Sequence, residues 1–143
     1  MPDTPETILA FDFGKRRIGV AVGQQVTFSA SPLKFVANEH SGPDWRQIAT
    51  LVSDWHPHRL IVGMPIHVDG SPAEIASEVE DFIINLGRYD LPVEAIDERY
   101  SSLEAEQQLK AERAAGIRGR ITKDMIDSAA AVLIAERWLK KEF

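Results

Sequence analysis

The sequence predicts a single α/β unit built on a mixed sheet, and three observations carry that expectation. Short apolar runs of strand length, such as Ile8 to Phe13, Ile18 to Val22 and Leu60 to Met64, are bounded by turn residues. Between the later runs lie amphipathic stretches whose apolar residues recur at helical spacing, the pattern of strands alternating with helices. The chain has 143 residues, 44% of them hydrophobic, which supports one core spanning residues 1–143 and leaves no room for two full domains.

Ile8 to Phe13 is apolar on both faces until Asp12, and Ile18 to Val22 follows after Gly14-Lys15-Arg16-Arg17, a spacing that suits an antiparallel hairpin. Phe28 to Val36 reads as a third strand, with Pro32 marking an edge or bulge. After Gly42-Pro43, the residues Trp45, Ile48, Val52 and Trp55 predict a helix that stops before His56-Pro57-His58. Leu60 to Met64 is a buried strand ended by Pro65. Ser71-Pro72-Ala73-Glu74 combines an N-cap, a first-turn proline and a glutamate at N3, so a helix runs from there to about Leu86 and Gly87 ends it. Val93 to Ile96 is a further strand leading into Asp97-Glu98-Arg99. Ser101 with Glu104 opens another helix, and a last, Ala-rich helix runs from near Thr122 to about Lys140. No internal repeat, linker or low-complexity tract interrupts this order.

The amino terminus, Met1 to Thr7, lacks the positive charge of a secretory signal, and the longest apolar run, Ala129 to Ala135, is far below the ~20 residues that span a bilayer. A cytoplasmic protein without membrane attachment is therefore expected. The absence of cysteine removes disulfides, thiolate zinc sites and thiol nucleophiles. The net charge of −6 is unevenly spread. Asp69 to Gly87 holds five acids and no base, whereas Lys110 to Lys123 holds five bases and one acid, so a basic strip survives inside an acidic chain.

Several carboxylates sit where a purely structural reading would not put them. Asp12 ends a strand apolar on both sides, and Asp97-Glu98 ends another. On the last helix Asp127 shares a face with Ala130, Ala131, Ile134 and Trp138, with Asp124 one turn earlier. Taken singly, each has a plain explanation: Asp12 as a turn former, Asp97 as a partner of Arg99, Asp124 as a helix-start acid. Jointly they point to a divalent-metal site, because converging carboxylates repel unless a cation balances them. With histidines only at 40, 56, 58 and 67, hard oxygen ligands and Mg²⁺ or Mn²⁺ fit best. His56 and His58 read as a surface turn, and His67 as a solvated loop residue. Lys15, Arg16 and Arg17 stand in the turn beyond Asp12. Arg118, Arg120 and Lys123 lie in a stretch with Gly116 and Gly119, suited to gripping phosphates.

Four segments in order resemble the motifs of the YqgF (RuvX) family, pre-16S rRNA nucleases related to Holliday junction resolvases. They are Asp12-Phe13-Gly14 with Arg16-Arg17-Ile18-Gly19-Val20-Ala21; Ile61-Val62-Gly63-Met64-Pro65 leading to Asp69-Gly70-Ser71; Asp97-Glu98-Arg99-Tyr100-Ser101-Ser102; and Lys123-Asp124-Met125-Ile126-Asp127-Ser128-Ala129-Ala130. The resemblance implies an RNase H-like (RuvC-like) fold with a five-stranded mixed sheet flanked by helices. It implies a metal site in which Asp12 is the strand-one ligand, Glu98 or, in competition, Asp97 the second, and Asp127 with Asp124 the helix pair. Arg16 stands where the family usually has lysine and His67 where it has asparagine.

The expected function is a hydrolase that cleaves phosphodiester bonds with a divalent metal and processes the 5′ end of pre-16S rRNA in ribosome biogenesis. Asp12, Glu98 and Asp127 would be its catalytic acids. Two alternatives stand beside it: a resolvase acting on branched DNA, and a non-catalytic RNA-binding module of the same fold. A sugar kinase or ATPase built around Asp12-Phe13-Gly14 needs two lobes and a far longer chain. The acidic outer face of the Ser71 to Leu86 helix disfavours self-association, so a monomer or weak homodimer is expected.

Overall fold

The computed structural model describes residues 4–65, 75–97 and 128–140. Strand β1 (Thr7–Phe13) runs antiparallel to β2 (Arg17–Gln24), which pairs with β3 (Ser29–Glu39). A two-residue strand β4 (Gly42–Pro43) folds back on β3, and helix α1 (Trp45–Trp55) follows. Strand β5 (Arg59–Met64) lies parallel to β1. Helix α2 (Ala76–Leu86) leads through a 3-10 turn at Gly87–Tyr89 to β6 (Val93–Asp97), parallel to β5. Helix α3 (Ala129–Leu139) closes the described chain. The sheet order is β4-β3-β2-β1-β5-β6, a mixed sheet of six strands among the described residues rather than five. The extra member is Gly42–Pro43, a pair too short to show the alternation by which strands are read.

β1 lies inside the sheet, flanked by β2 and β5, and residues 8–11 are wholly buried. Its alternation sorts the core into two layers. Leu9, Phe11 and Phe13 pack with Ile48 of α1 and with Val79, Phe82 and Leu86 of α2. Ile8 and Ala10 face the opposite way, onto Ala131, Ile134, Ala135 and Trp138 of α3. The small residues of α3 let it lie close to the sheet. Gly23 of β2 is part of that fit, since a Cβ there would stand 3.1 Å from Ile8 and 3.4 Å from Ala135.

Helix α1 begins where Asp44 accepts hydrogen bonds from the amides of Arg46 and Gln47, and ends at His56 in the left-handed region. Helix α2 ends at Leu86 with Gly87 as its C-cap, as expected. Gly87 keeps a right-handed conformation, φ −58°, and the chain continues into the 3-10 turn until Asp90, φ 60°, reverses it. The first turn expected at Ser71 to Glu74, the helix opening at Ser101 and Glu104, and the start of the last helix near Thr122 lie outside the described residues.

The amino ends of β1 and β5 are tied to β6 by Arg59, which donates to both carboxylate oxygens of Glu6 and to Glu94, with its guanidinium over Trp138. Hydrogen bonding to Glu6 is the largest of the effects that hold this group protonated more firmly than a free arginine. On the other layer, Arg88 stacks on Trp45 at 3.7 Å from the ring centroid and fixes the 3-10 turn against α1. No helix among the described residues is long and apolar enough to cross a membrane.

Candidate active site

Parallel strands β1, β5 and β6 end together, at Phe13, Met64 and Asp97, and this edge is where open α/β sheets place their ligands. Asp12 is the second-to-last residue of β1. It follows Ile8 and Ala10 on the layer covered by α3, and it is half-buried there. Its neighbours in register are Gly19 on β2 and, extending the β1–β5 ladder by one residue, Gly63 on β5. Neither adds a side chain, so the carboxylate meets small residues on both flanks.

Asp97 does not share that face. Ile96 packs in the α3 layer and Val93 in the other, so alternation turns Asp97 away from Asp12. β6 is also the edge of the described sheet, with Ala95 and Asp97 exposed, and not the doubly apolar strand that the sequence suggested. Arg137 of α3 donates to the Asp97 carbonyl at 2.9 Å, which pins the strand end.

The turn after Asp12 carries three exposed bases, Lys15, Arg16 and Arg17. Arg17 lies over the Phe35 ring, 5.1 Å from its centroid. The turn is tight: a Cβ on Gly14 would stand 2.5 Å from the Arg17 carbonyl oxygen. Asn38 of β3 clamps it. The Asn38 amide group donates to the Gly14 carbonyl at 2.7 Å, and its backbone N–H donates to the Arg16 carbonyl at 3.0 Å.

A second clamp sits at the start of α3. Ser128 Oγ accepts from the Val20 N–H at 3.1 Å and donates to the Leu33 carbonyl at 2.7 Å. The β2–β3 register shifts between Ile18 and Val20, and the serine hydroxyl bridges the two strands beside that break. Ser128 thereby fixes the helix start beside β2, one residue along from Gly19, the partner of Asp12. Asn38 and Ser128 are the buried polar residues among those described. The sequence reading gave neither a role, because their partners lie far off in the chain.

Glu98, Asp124 and Asp127, and the bases Arg118, Arg120 and Lys123, lie outside the described residues, as does His67. The stripe on which Asp127 was placed is real for the rest of its length, since Ala130, Ala131, Ile134 and Trp138 are all buried. Among the described residues no group of three or more acids, histidines or cysteines gathers to hold a metal. His56 and His58 form the surface turn expected of them: His56 caps α1, and His58 Nδ1 accepts from the Thr7 N–H.

The family model described as RuvX, Holliday junction resolvase, matches residues 6–141. The chain belongs to the RuvX family. Its curated relatives include proteins named "Putative pre-16S rRNA nuclease" from Burkholderia cenocepacia, 42% identical over 93% of this chain and 88% of the relative, and from Nitrosococcus oceani, 43% identical over 99% and 91%. Among solved structures, Thermus thermophilus RuvC in complex with a Holliday junction substrate aligns with a TM-score of 0.55 at 13% identity, covering 91% of this chain and 90% of that one. The fowlpox virus Holliday junction resolvase aligns with a TM-score of 0.57 at 12% identity, over 94% and 98%. The RuvX chain thus has the RuvC-like fold, with Asp12 at the strand end where the sheet opens.

The two clamps make one prediction. Ser128→Ala leaves the buried Val20 amide and the half-buried Leu33 carbonyl without their partner, and should lower stability by about 1–3 kcal/mol, whereas Asn38→Ala removes one half-buried hydrogen bond and should cost about 1 kcal/mol. Urea denaturation of the three proteins measures both, and a Ser128→Ala variant as stable as the wild type would show that the hydroxyl does not hold the helix.

Proposed function

We propose that this RuvX chain is a divalent-metal-dependent nuclease of the cytoplasm that processes the 5′ end of pre-16S rRNA in ribosome biogenesis, acting as a monomer or weak homodimer. The observation that carries the reading is Asp12: a half-buried acid at the open end of the parallel strands, next to a basic turn held rigid by Asn38. A domain that only bound RNA would need the basic turn but not the acid. The names of the relatives support pre-16S rRNA as substrate.

Asp12 is a hard oxygen donor in a chain without cysteine, which suits Mg²⁺ or Mn²⁺. In this reading Asp12, Glu98 and Asp127, with Asp124, hold the metal and are the catalytic acids. Alternation, which turns Asp97 from the Asp12 face, supports Glu98 as the second ligand in this reading. When bound, such ions activate a water and stabilise the leaving oxygen in phosphodiester hydrolysis. Lys15, Arg16 and Arg17 draw the phosphate backbone toward the strand end, concentrating positive potential where an acidic protein needs it. Arg118, Arg120 and Lys123 grip further phosphates. Cleavage of branched DNA is the second reading, favoured by the family description and testable in the same assay.

With Mn²⁺ or Mg²⁺, a 5′-extended small-subunit rRNA precursor should be cut by the wild type. Asp12→Asn, Glu98→Gln and Asp127→Asn should each lose more than about a hundredfold in rate while keeping the fold. Asp97→Asn should stay within about threefold of the wild type, because the side chain faces away. Cleavage by Asp12→Asn at the wild-type rate would remove that residue from the site, and a four-way junction cut in preference to the rRNA would favour the DNA reading.

Replacing both Arg118 and Arg120 by alanine should weaken RNA binding across sequences and flatten its log–log salt dependence by about 0.7 per lost phosphate contact on a single strand. Filter binding over a salt series reads the slope, and an unchanged slope would assign both residues to solvated surface.

A further inference from the structure

On the far side of the basic turn from Asp12, a cleft of about 680 Å³ opens between the turn, the end of β3 and the first turn of α2. It is lined by Lys15, Arg16, Asn38, Glu39, His40 and Glu78. It is open to solvent and mostly polar. Two cations and two carboxylates share it, yet among the described residues no ion pair joins them. The Asn38 clamp holds the backbone of the turn and so keeps the bases at their own wall.

We infer that this cleft is a ribonucleotide subsite in which Lys15 and Arg16 take a phosphate and Glu78, with Glu39, accepts a hydrogen bond from a ribose 2′-hydroxyl. The inference rests on the nuclease reading for the strand that enters it. Two residues separate Asp12 from Lys15, and the three steps between them span at most about 11 Å of extended chain, so one strand crossing the Asp12 end reaches the cleft.

The bases alone would serve any nucleic acid. The acids make the cleft selective: an ionised carboxylate only accepts hydrogen bonds and repels phosphate, so a strand that fits must offer a donor there. The 2′-hydroxyl is the donor that RNA has and DNA lacks. A carboxylate on a ribose hydroxyl is also a recurrent pairing in nucleotide sites. Glu78 is an acid in the first turn of α2, where the helix dipole favours it, but that role does not require it to face a basic wall.

The test is fluorescence anisotropy in EDTA with the full chain and short labelled single strands of RNA and DNA of one sequence. Lys15→Ala and Arg16→Ala should weaken both strands alike. Glu78→Ala should weaken RNA by about tenfold and leave DNA unchanged or tighter, erasing the preference. Thermal melts check that the variants stay folded. RNA and DNA both binding tighter to Glu78→Ala would overturn the inference, because the acid would then only repel. Both weakening together would assign the contact to the bases rather than the sugar, and unchanged binding in Lys15→Ala and Arg16→Ala would show that no strand enters the cleft. Asp12→Asn should keep the RNA preference. A wild type that prefers RNA but hydrolyses nothing with Mn²⁺ would overturn the nuclease reading and uphold the cleft.

Discussion

The hydroxyl of the buried Ser128 makes two hydrogen bonds, to Val20 and Leu33, and the architecture of the site follows from them. A shift in strand register leaves ladder groups of β2 and β3 to find other partners, and an unpaired buried amide or carbonyl is costly. Supplying that partner from Ser128, the N-cap residue of α3, fixes the helix along its axis as well as against the sheet. The apolar contacts of Ala131, Ile134 and Trp138 could be made by a helix slid by a turn, because dispersion and apolar burial are weakly directional. The hydrogen bonds could not. Asn38 does the same for the turn that follows Asp12, so the two buried polar residues described both fix backbone near the proposed site.

Much of this was legible in the sequence. The hairpin of β1 and β2, helix α1 and buried strand β5 are visible because their apolar periodicity extends over enough residues to be unambiguous. The position of Asp12 at a buried strand end was visible for the same reason. The strand at Gly42–Pro43 was not, since two residues carry no period. Gly87 ends α2 after Leu86 as read, but the 3-10 turn that continues from it had no sequence signal of its own. The roles of Asn38 and Ser128 had no local signal at all: the serine bonds reach 108 and 95 residues along the chain. The choice between Asp97 and Glu98 turns on strand parity, which a run such as Val93 to Asp97 does not reveal until its neighbours are known.

The charge distribution reconciles an acidic chain with a polyanionic substrate. A net charge of −6 repels nucleic acid at long range, but screening limits that repulsion to roughly 8 Å at physiological ionic strength. Inside that distance the three bases next to Asp12 dominate, and their fixed turn spares the entropy of ordering them on binding. Helix α2 packs on the other layer of the sheet from the Asp12 carboxylate, and of its acids Glu78 shares the cleft with Lys15 and Arg16. A basic turn set in an acidic chain favours approach of a polyanion at that turn.

The central claim is that Asp12, Glu98 and Asp127 meet around one metal, and a crystal grown with Mn²⁺ tests it most directly by anomalous scattering at the manganese edge. The account predicts a peak about 2.1 Å from an Asp12 carboxylate oxygen, with Glu98 and Asp127 completing the ligand set and Asp97 turned away. A manganese peak held by other residues, or none at saturating metal with Asp12 solvated, would contradict it.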